Sequence, residues 1–447
     1  MRPPMLRTDM YAKKVQGLVL PGQRERYRVA VQRQVEIECS VGAMACVQNA
    51  GLLRASYLVF AKEICSIKEK FAGQQALDEV GIRRAKWISR GLSSACLDNI
   101  INWCLGEYVS PPVPPSCDWL YKRKITFSGN VSTTNLIDFP VLVHLTAANF
   151  NFSHAQASGQ DIRFMDSDTC PGDGTPLKHE IEKWDQVGED AWVWVKVPQI
   201  DANSATDFIY IFYGNATAAD GQDPPNVWDT NFKMVLHENE AAGDALDSTS
   251  NNCDGPIIGT MTRTSTSKIN GGVECSAAGG FAGASLDPLK MTGNKTLQVW
   301  IEPDAAATGF LFACYKATPS YDGYGLYFHD VGSVQKIAFY TNTGGGWKYN
   351  TTAVPLNEFH LIHAVHDGTN IRFYYDGVAD GVQVVGAGSG TNTGNNRLYE
   401  NTISGERFDG KTDEMRASNI ARSADWILAD FKTQSETLQT YGPEEAA

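Results

Sequence analysis

The stretch Phe359–Gly368, FHLIHAVHDG, sets His360, His363 and His366 three residues apart, and the chain has eight histidines in all. On a helix this spacing would share a face and suit a transition metal. On a strand the side chains alternate, so His363 points away from the other two. The apolar residues between them and the closing Asp367-Gly368 pair read as a strand entering a hairpin turn. The expectation is therefore no metal here. His363 should be partly buried with its ring nitrogens bonded, and His360 and His366 should lie on the opposite sheet face.

Three other constellations could carry chemistry. HEIEKWD sets Glu180 and Glu182 on one face of a strand, about 6.5–7 Å apart. Such a pair can divide the acid and base roles of glycoside hydrolysis. The plainer reading is a solvated strand face. DALDSTSNNCDG (244–255) and DGKTDE (409–414) offer Asp247, Asn252 and Asp413, oxygen ligands of the kind calcium takes. The alternative is Asx turns that satisfy their own backbone. SYDGYG (320–325) and YTNTGGGWKYNTT (340–352) carry Tyr321, Tyr324, Trp347 and Tyr349 on glycine-rich loops. Rigid, amphipathic rings in such places suit sugar faces or protein partners, or else pack as hairpin tips. No G-x-S-x-G elbow and no phosphate loop is present.

The elements that must position these residues fall into distinct textures. Residues 1–107 are mixed and mostly helical. A period-two strand runs from Tyr27 to Cys39, and a helix from Leu52 to Phe71. A second helix is expected from about Asp78 to Arg90, ended by Gly91, and a third from Ser94 to Gly106. Residues 108–118 hold YVSPPVPPSC, whose prolines favour polyproline II and make a semi-rigid linker. Beyond it, alternating strands such as AWVWVKV and FIYIFY are separated by Gly, Asn, Asp and Pro turns, the texture of antiparallel β-sandwiches. The fold class is mainly β, with two tandem sandwiches after a small α+β domain. The expected boundaries are 1–107, 108–118, 119–226 and 227–447.

Composition narrows the function classes. At 447 residues the chain is too long for one core, and 43% hydrophobic with 20% charged residues is ordinary globular composition. A net charge of −13 argues against a nucleic-acid partner. No apolar run approaches the span of a bilayer, so membrane insertion is not expected. The first residues, MRPPMLRTDMYAKK, have no apolar segment after their basic residues, so no secretory signal is read. The ten cysteines form no C-x-x-C pair. Free buried thiols are the default expectation, with Cys253 and Cys275 the first disulfide pair to examine.

Two segments carry resemblances. Trp119, RKITF (123–127), DFPVLVHL (138–145), GQDIRF (159–164), LKHEIEKWD (177–185), AWVWVKVP (191–198) and IYIFYGN (209–215) resemble a domain family of unknown function. That family accompanies LamG lectin domains in bacterial, archaeal and phage surface proteins. VWDTNFKMVLHENEAAGDALDSTSNNCDG, TLQVWIEP, FHLIHAVHDGTNIRFYYDG and FDGKTDEMRASNIARSADWI resemble the LamG, or concanavalin A-like, jelly roll. Phe359, His363 and His366 depart from its usual residues.

These resemblances imply a non-catalytic adhesion or structural protein, and the missing secretory signal and short mixed N-terminal domain suit a phage virion or tail-associated component that binds a host-surface glycan or protein. Residues 1–107 would dock to a virion or surface-structure protein, and homo-oligomerisation stays open. The jelly-roll resemblance adds calcium, with structural acids at positions like Asp247 and Asp413. The alternatives are a concanavalin A-like glycoside hydrolase using Glu180 and Glu182, a cell-surface adhesin, and a purely architectural decoration protein. The protein is expected on a virion or outside a cell.

Overall fold

A computed structural model describes residues 74–88, 97, 101, 117–283, 287–306, 308–316, 322–341, 346–384, 396–398 and 408–447. The strand expected at 27–39, the helix at 52–71, Gly91, the prolines of the linker and Tyr321 lie outside the described residues, as does most of the third helix. The chain divides into two compact units, Met1–Ser116 and Cys117–Ala447. In the first, α1 (Gln74–Ile88) is the second expected helix, and it buries Val80 and Trp87.

The second unit contains both sandwiches. The first begins with β1 (Tyr121–Thr126), β2 (Leu136–Thr146), β3 (Arg163–Met165), β4 (His179–Asp185), β5 (Asp190–Ile200) and β6 (Phe208–Tyr213). A short helix α2 (Pro224–Val227) leads to the second. There follow β7 (Phe232–Leu236), β8 (Ile257–Thr264), β9 (Gly272–Gly283), β10 (Lys295–Pro303), β11 (Gly309–Lys316) and β12 (Asp322–Val331). Then come β13 (Val334–Thr341), β14 (Gly346–Tyr349), β15 (His360–His366), β16 (Asn370–Tyr375), β17 (Val378–Val384), β18 (Asn396–Leu398) and β19 (Gly410–Ser418). Helix α3 (Ala424–Gln434) and β20 (Thr440–Ala446) close the chain.

In the first sandwich a sheet in the order β20-β1-β6-β3 faces a sheet in the order β2-β5-β4. The last strand of the chain is thus built into the first sandwich, with Tyr121 opposite Ala446 and Thr126 opposite Thr440. The boundary expected at 226/227 separates the sandwiches in sequence but not in space. The second sandwich is one continuous 13-stranded antiparallel sheet, with β18, β9 and β19 at the middle of its strand order.

The sheet β2-β5-β4 is covered on both sides. Val193, Val195 and Val197 belong to the core of the first sandwich. On the other face of β5, Trp194 meets Trp228 and His237, the latter just beyond the end of β7. Helix α3 also packs on this side, where Leu142 N–H donates to Thr433 Oγ1 at 2.8 Å. Ser423 caps α3 by accepting from Trp426 N–H, and Asp425 Oδ2 receives the backbone N–H groups of Thr133 and Thr134 at 2.9 Å each. Strand alternation also places the three histidines. His363 faces α3, while Ile362 and Ala364, on the face shared by His360 and His366, lie in the second core. Among the described residues no helix is long and apolar enough to cross a membrane.

The cysteine expectation is corrected. Cys117 and Cys170 form a disulfide, with Cα atoms 5.5 Å apart, whereas Cys253 and Cys275 are free and buried. Cys314 is likewise free and buried, and burial pushes the Cys253 thiol up to about 12. The disulfide closes a loop of 53 residues at the start of the first sandwich. Replacing both of its cysteines by serine should cost about 4 kcal/mol of unfolding free energy, read from the urea midpoint against the parent chain with its bond intact.

A second tie joins β2 to the turn after α3. His144 stacks on Trp192 with ring centroids 3.6 Å apart, and its two ring nitrogens lie 2.7 Å from Glu436 Oε2 and 2.7 Å from Asp190 Oδ1. Burial lowers its pKa, but the hydrogen bonds to Glu436 and Asp190 outweigh burial and hold it above the ordinary 6.5. A raised histidine stabilises the fold below its unfolded pKa and loses that contribution as pH rises through the folded value. His144→Gln should therefore lower Tm at about pH 5.5 and leave it nearly unchanged at about pH 9, as measured by differential scanning fluorimetry.

Candidate functional site

Two places concentrate chemistry. The first lies where β4 of the first sandwich meets β7 and β19 of the second. Strand β4 carries a bulge between Ile181 and Lys183, which leaves Glu182 as the extra residue. Both Glu180 and Glu182 turn toward His237, and the solvated face expected from the sequence is corrected. The Glu180 side chain is 10% exposed and that of Glu182 is 0% exposed, because the second sandwich covers them. Glu180 Oε2 accepts from Trp228 Nε1–H at 3.0 Å, and its Oε1 from Ser248 Oγ–H at 2.5 Å. Glu182 Oε2 accepts from Trp194 Nε1–H at 2.9 Å, and its Oε1 is buried with no partner.

Strand β19 completes the cluster. Its pairing with β10 slips between Gln298 and Trp300, and Glu414 in the slipped segment has φ of 55°. This left-handed kink, costly for a residue with a side chain, turns Glu414 onto His237. His237 Nδ1 lies 2.6 Å from Glu414 Oε1 and 3.6 Å from Glu182 Oε2, while Nε2 lies 3.5 Å from Glu180 Oε2. Arg416 bonds Glu414 Oε2 through both Nε and Nη2 and reaches Asp430 Oδ1 at 3.4 Å. Its guanidinium also lies 4.1 Å from the Trp194 ring centroid and 4.7 Å from that of Trp228. Asp430 continues the network to His363 at 3.0 Å and to Gln434, which accepts from Trp300 Nε1–H at 2.7 Å.

The protonation pattern follows from this packing. Burial opposes the charge on His237, but the carboxylates of Glu414, Glu180 and Glu182 hold its pKa well above 6.5. Burial and then the Glu414 charge push Glu182 up to about 8. For Glu414 the charges of His237 and Arg416 outweigh burial and bring it down to about 2. Burial, followed by the Glu414 charge, raises Asp413 well above the usual carboxylate range.

The second place is an aromatic face on β12–β14. Tyr324, Leu326, Phe328, Ile337 and Phe339 point into the second core. The alternate residues form a separate cluster in which Phe310, Tyr327 and Ala338 support half-buried Tyr340, Trp347 and Tyr349. The Trp347 ring lies 4.2 Å from Tyr327, 5.5 Å from Tyr340 and 4.8 Å from His329.

The sequence-selected residues divide accordingly. Trp347 and Tyr349 share the aromatic face. Tyr324 does not; it is fully buried and its hydroxyl donates to Leu289 O at 2.6 Å, so the expectation that it touches ligand is corrected. Asp247, Asn252 and Asp413 are each engaged locally. Asp247 takes backbone donors from Val235, Thr249 and Cys253, Asn252 donates to Ser250 O, and Asp413 Oδ2 takes Ile269 N–H and Ser267 Oγ–H. Asp247 thus stabilises its own turn. Sequence reasoning missed His237, Glu414, Arg416, Trp194 and Trp228. The signal available was charge inside strand segments, as in MVLHENE and DEMRA.

With the geometry in place, two family models match parts of the chain. Residues 278–428 match the concanavalin A-like lectin/glucanases superfamily, and residues 158–250 match the domain of unknown function DUF2341. Each match covers less than half of the chain, the concanavalin A-like segment lying C-terminal to the DUF2341 segment. No curated protein sequence matches the chain.

Among solved structures, domain 4 of AbnA, an extracellular arabinanase from Geobacillus stearothermophilus solved with arabinotriose, is 16% identical. The match covers 45% of this chain and 98% of that domain, with a TM-score of 0.38. The binding domain of Paraclostridial Mosquitocidal Protein 1 is 10% identical over 45% of this chain and 52% of its own, with a TM-score of 0.38. The receptor binding domain of botulinum neurotoxin mosaic serotype C/D is 10% identical over 46% of this chain and 51% of its own, at 0.36. The match spans about half of each toxin domain. These likenesses concern the fold alone.

The buried network predicts a large asymmetry between substitutions. Arg416→Met leaves Glu414 and Asp430 without their guanidinium and should cost about 3–5 kcal/mol in urea unfolding, far more than an exposed ion pair such as Lys122–Asp168.

Proposed function

We propose that this chain is a non-catalytic glycan-binding protein whose binding surface is the aromatic face of β12–β14. The observation that carries this reading is that Trp347, Tyr349 and Tyr340 form a half-buried ring cluster outside the main core, on the opposite side of the sheet from it. Rings fixed by Tyr327 and His329 lose little freedom on binding and present flat apolar faces to sugar rings. Glu180 and Glu182, the pair that would serve hydrolysis, are committed to Trp228, Ser248 and Trp194 beneath the second sandwich, which favours binding over catalysis.

The disulfide between Cys117 and Cys170 suits a protein displayed outside the reducing cytoplasm, on a cell or a virion. In this reading the tandem sandwiches are an adhesion module, and the first 107 residues are its attachment to a larger surface structure.

A glycan array probed with the full chain should give a defined set of hits. Trp347→Ala should weaken the best of them about tenfold or more while leaving Tm within a few degrees. An array without hits, or a Trp347→Ala protein that binds as well as the parent, would reject this face as the binding surface.

A further inference from the structure

The cluster between the sandwiches has the composition and the ordering of a metal centre. Among the described residues, one donor atom each from Glu182, His237 and Glu414 lies within 4.8 Å of the other two. The His237 Nδ1 atom faces both carboxylates, at 2.6 Å and 3.6 Å. A zinc-class ion holds its ligands about 3–3.5 Å from one another, so shifts of about 1 Å would close this set around it.

The groups behind these donors are also arranged as a metal site requires. His237 turns its other nitrogen toward Glu180, 3.5 Å away at ion-pair rather than hydrogen-bond geometry, and Glu180 is fixed by Trp228 and Ser248. Carboxylate support of this kind orients metal-binding histidines. Trp194 holds Glu182, and Arg416 holds the far oxygen of Glu414.

Two independent observations point to a cation. Glu182 Oε1 is buried without a hydrogen-bond partner, on a side chain 0% exposed. Leaving a carboxylate oxygen so costs free energy that a bound cation would recover. The formal charges agree. Glu180, Glu182, Glu414 and Asp430 share one guanidinium, Arg416, and when ionised they leave three negative charges uncompensated. A divalent ion would offset most of that excess.

We propose that Glu182, His237 and Glu414 bind one zinc-class divalent cation that bridges the two sandwiches. Glu182 would use both oxygens, giving four donors with His237 Nδ1 and Glu414 Oε1. Binding requires neutral imidazole and two carboxylates, so the protons that otherwise occupy His237 and Glu182 leave as the ion enters. A nitrogen donor and only four positions favour zinc over calcium, which takes six to eight oxygens. This site is distinct from the calcium expected from Asp247, Asn252 and Asp413, and it is independent of the glycan reading.

The site is buried, so the ion should be captured during folding. The full chain without a histidine tag is unfolded, refolded with zinc sulfate or with EDTA, gel-filtered and analysed for zinc. About one zinc per chain is expected, with a higher Tm than the EDTA sample. Glu182→Gln and His237→Gln should each retain at most about a tenth of that zinc. A parent chain holding no zinc, or variants holding as much as the parent, overturns the proposal. Should the variants fail to fold, cobalt(II) on the parent chain decides. Visible absorption of a four- or five-coordinate ion with quenching of tryptophan fluorescence supports the site beside Trp194 and Trp228. The spectrum of the aqueous ion alone rejects it.

Discussion

The structure turns on a guanidinium taken out of water. Arg416 is 1% exposed, held by Glu414 and Asp430 and lying against the rings of Trp194 and Trp228. Desolvating such a charge costs several kcal/mol, which pairing at best roughly offsets, so the network is poor evidence of net stability. Its effect is on specificity. Every donor and acceptor in it comes from an element whose place the others determine. Glu180 and Glu182 come from β4, Trp194 from β5, His237 from the end of β7, Glu414 and Arg416 from β19, and Asp430 and Gln434 from α3. A rotation of one sandwich against the other would strand charges in an apolar interface. Two apolar faces alone could slide.

The chain topology enforces the same arrangement. Strand β20 leaves the second sandwich to pair with β1, so the first sandwich is incomplete until the whole second one has been made. The Asp425 cap on Thr133 and Thr134 and the Thr433 contact with Leu142 fix α3 against the first sandwich. The two β regions are tandem in sequence and interlocked in space.

This explains what was legible in the sequence. Local patterns carried well: the alternation that split His360, His363 and His366 between faces, the turn at Asp367-Gly368, the sandwich texture and the two family resemblances. Alternation reports which side chains share a face, not what covers that face. AWVWVKV places tryptophans opposite valines, and only the coordinates put Trp194 against a second domain. The same gap turned Glu180 and Glu182 from a solvated pair into the floor of an interface. The Cys117–Cys170 bond and the β1–β20 pairing are long-range in the chain and leave no periodic trace. Tyr324 was misplaced for a simpler reason. Its glycine neighbours suggested a loop, whereas it sits on β12 with its side chain turned inward.

The two family segments divide the network between them. The 158–250 match contains Glu180, Glu182, Trp194, Trp228, His237 and Ser248, and the 278–428 match contains Glu414 and Arg416. The 158–250 set, two carboxylates and one histidine, is the half left with excess negative charge. Three carboxylates meet one histidine when Glu180, Glu182 and Glu414 converge, and the guanidinium that offsets Glu414 stands beside it on the same strand. The DUF2341 segment thus supplies Glu180, Glu182 and His237 to a buried polar seam that β19 completes. The aromatic face lies at one end of the strand order, on β12–β14, whereas the seam uses β19, β10 and β15, past the middle toward the other end. The aromatic face and the seam therefore use different strands of one sheet.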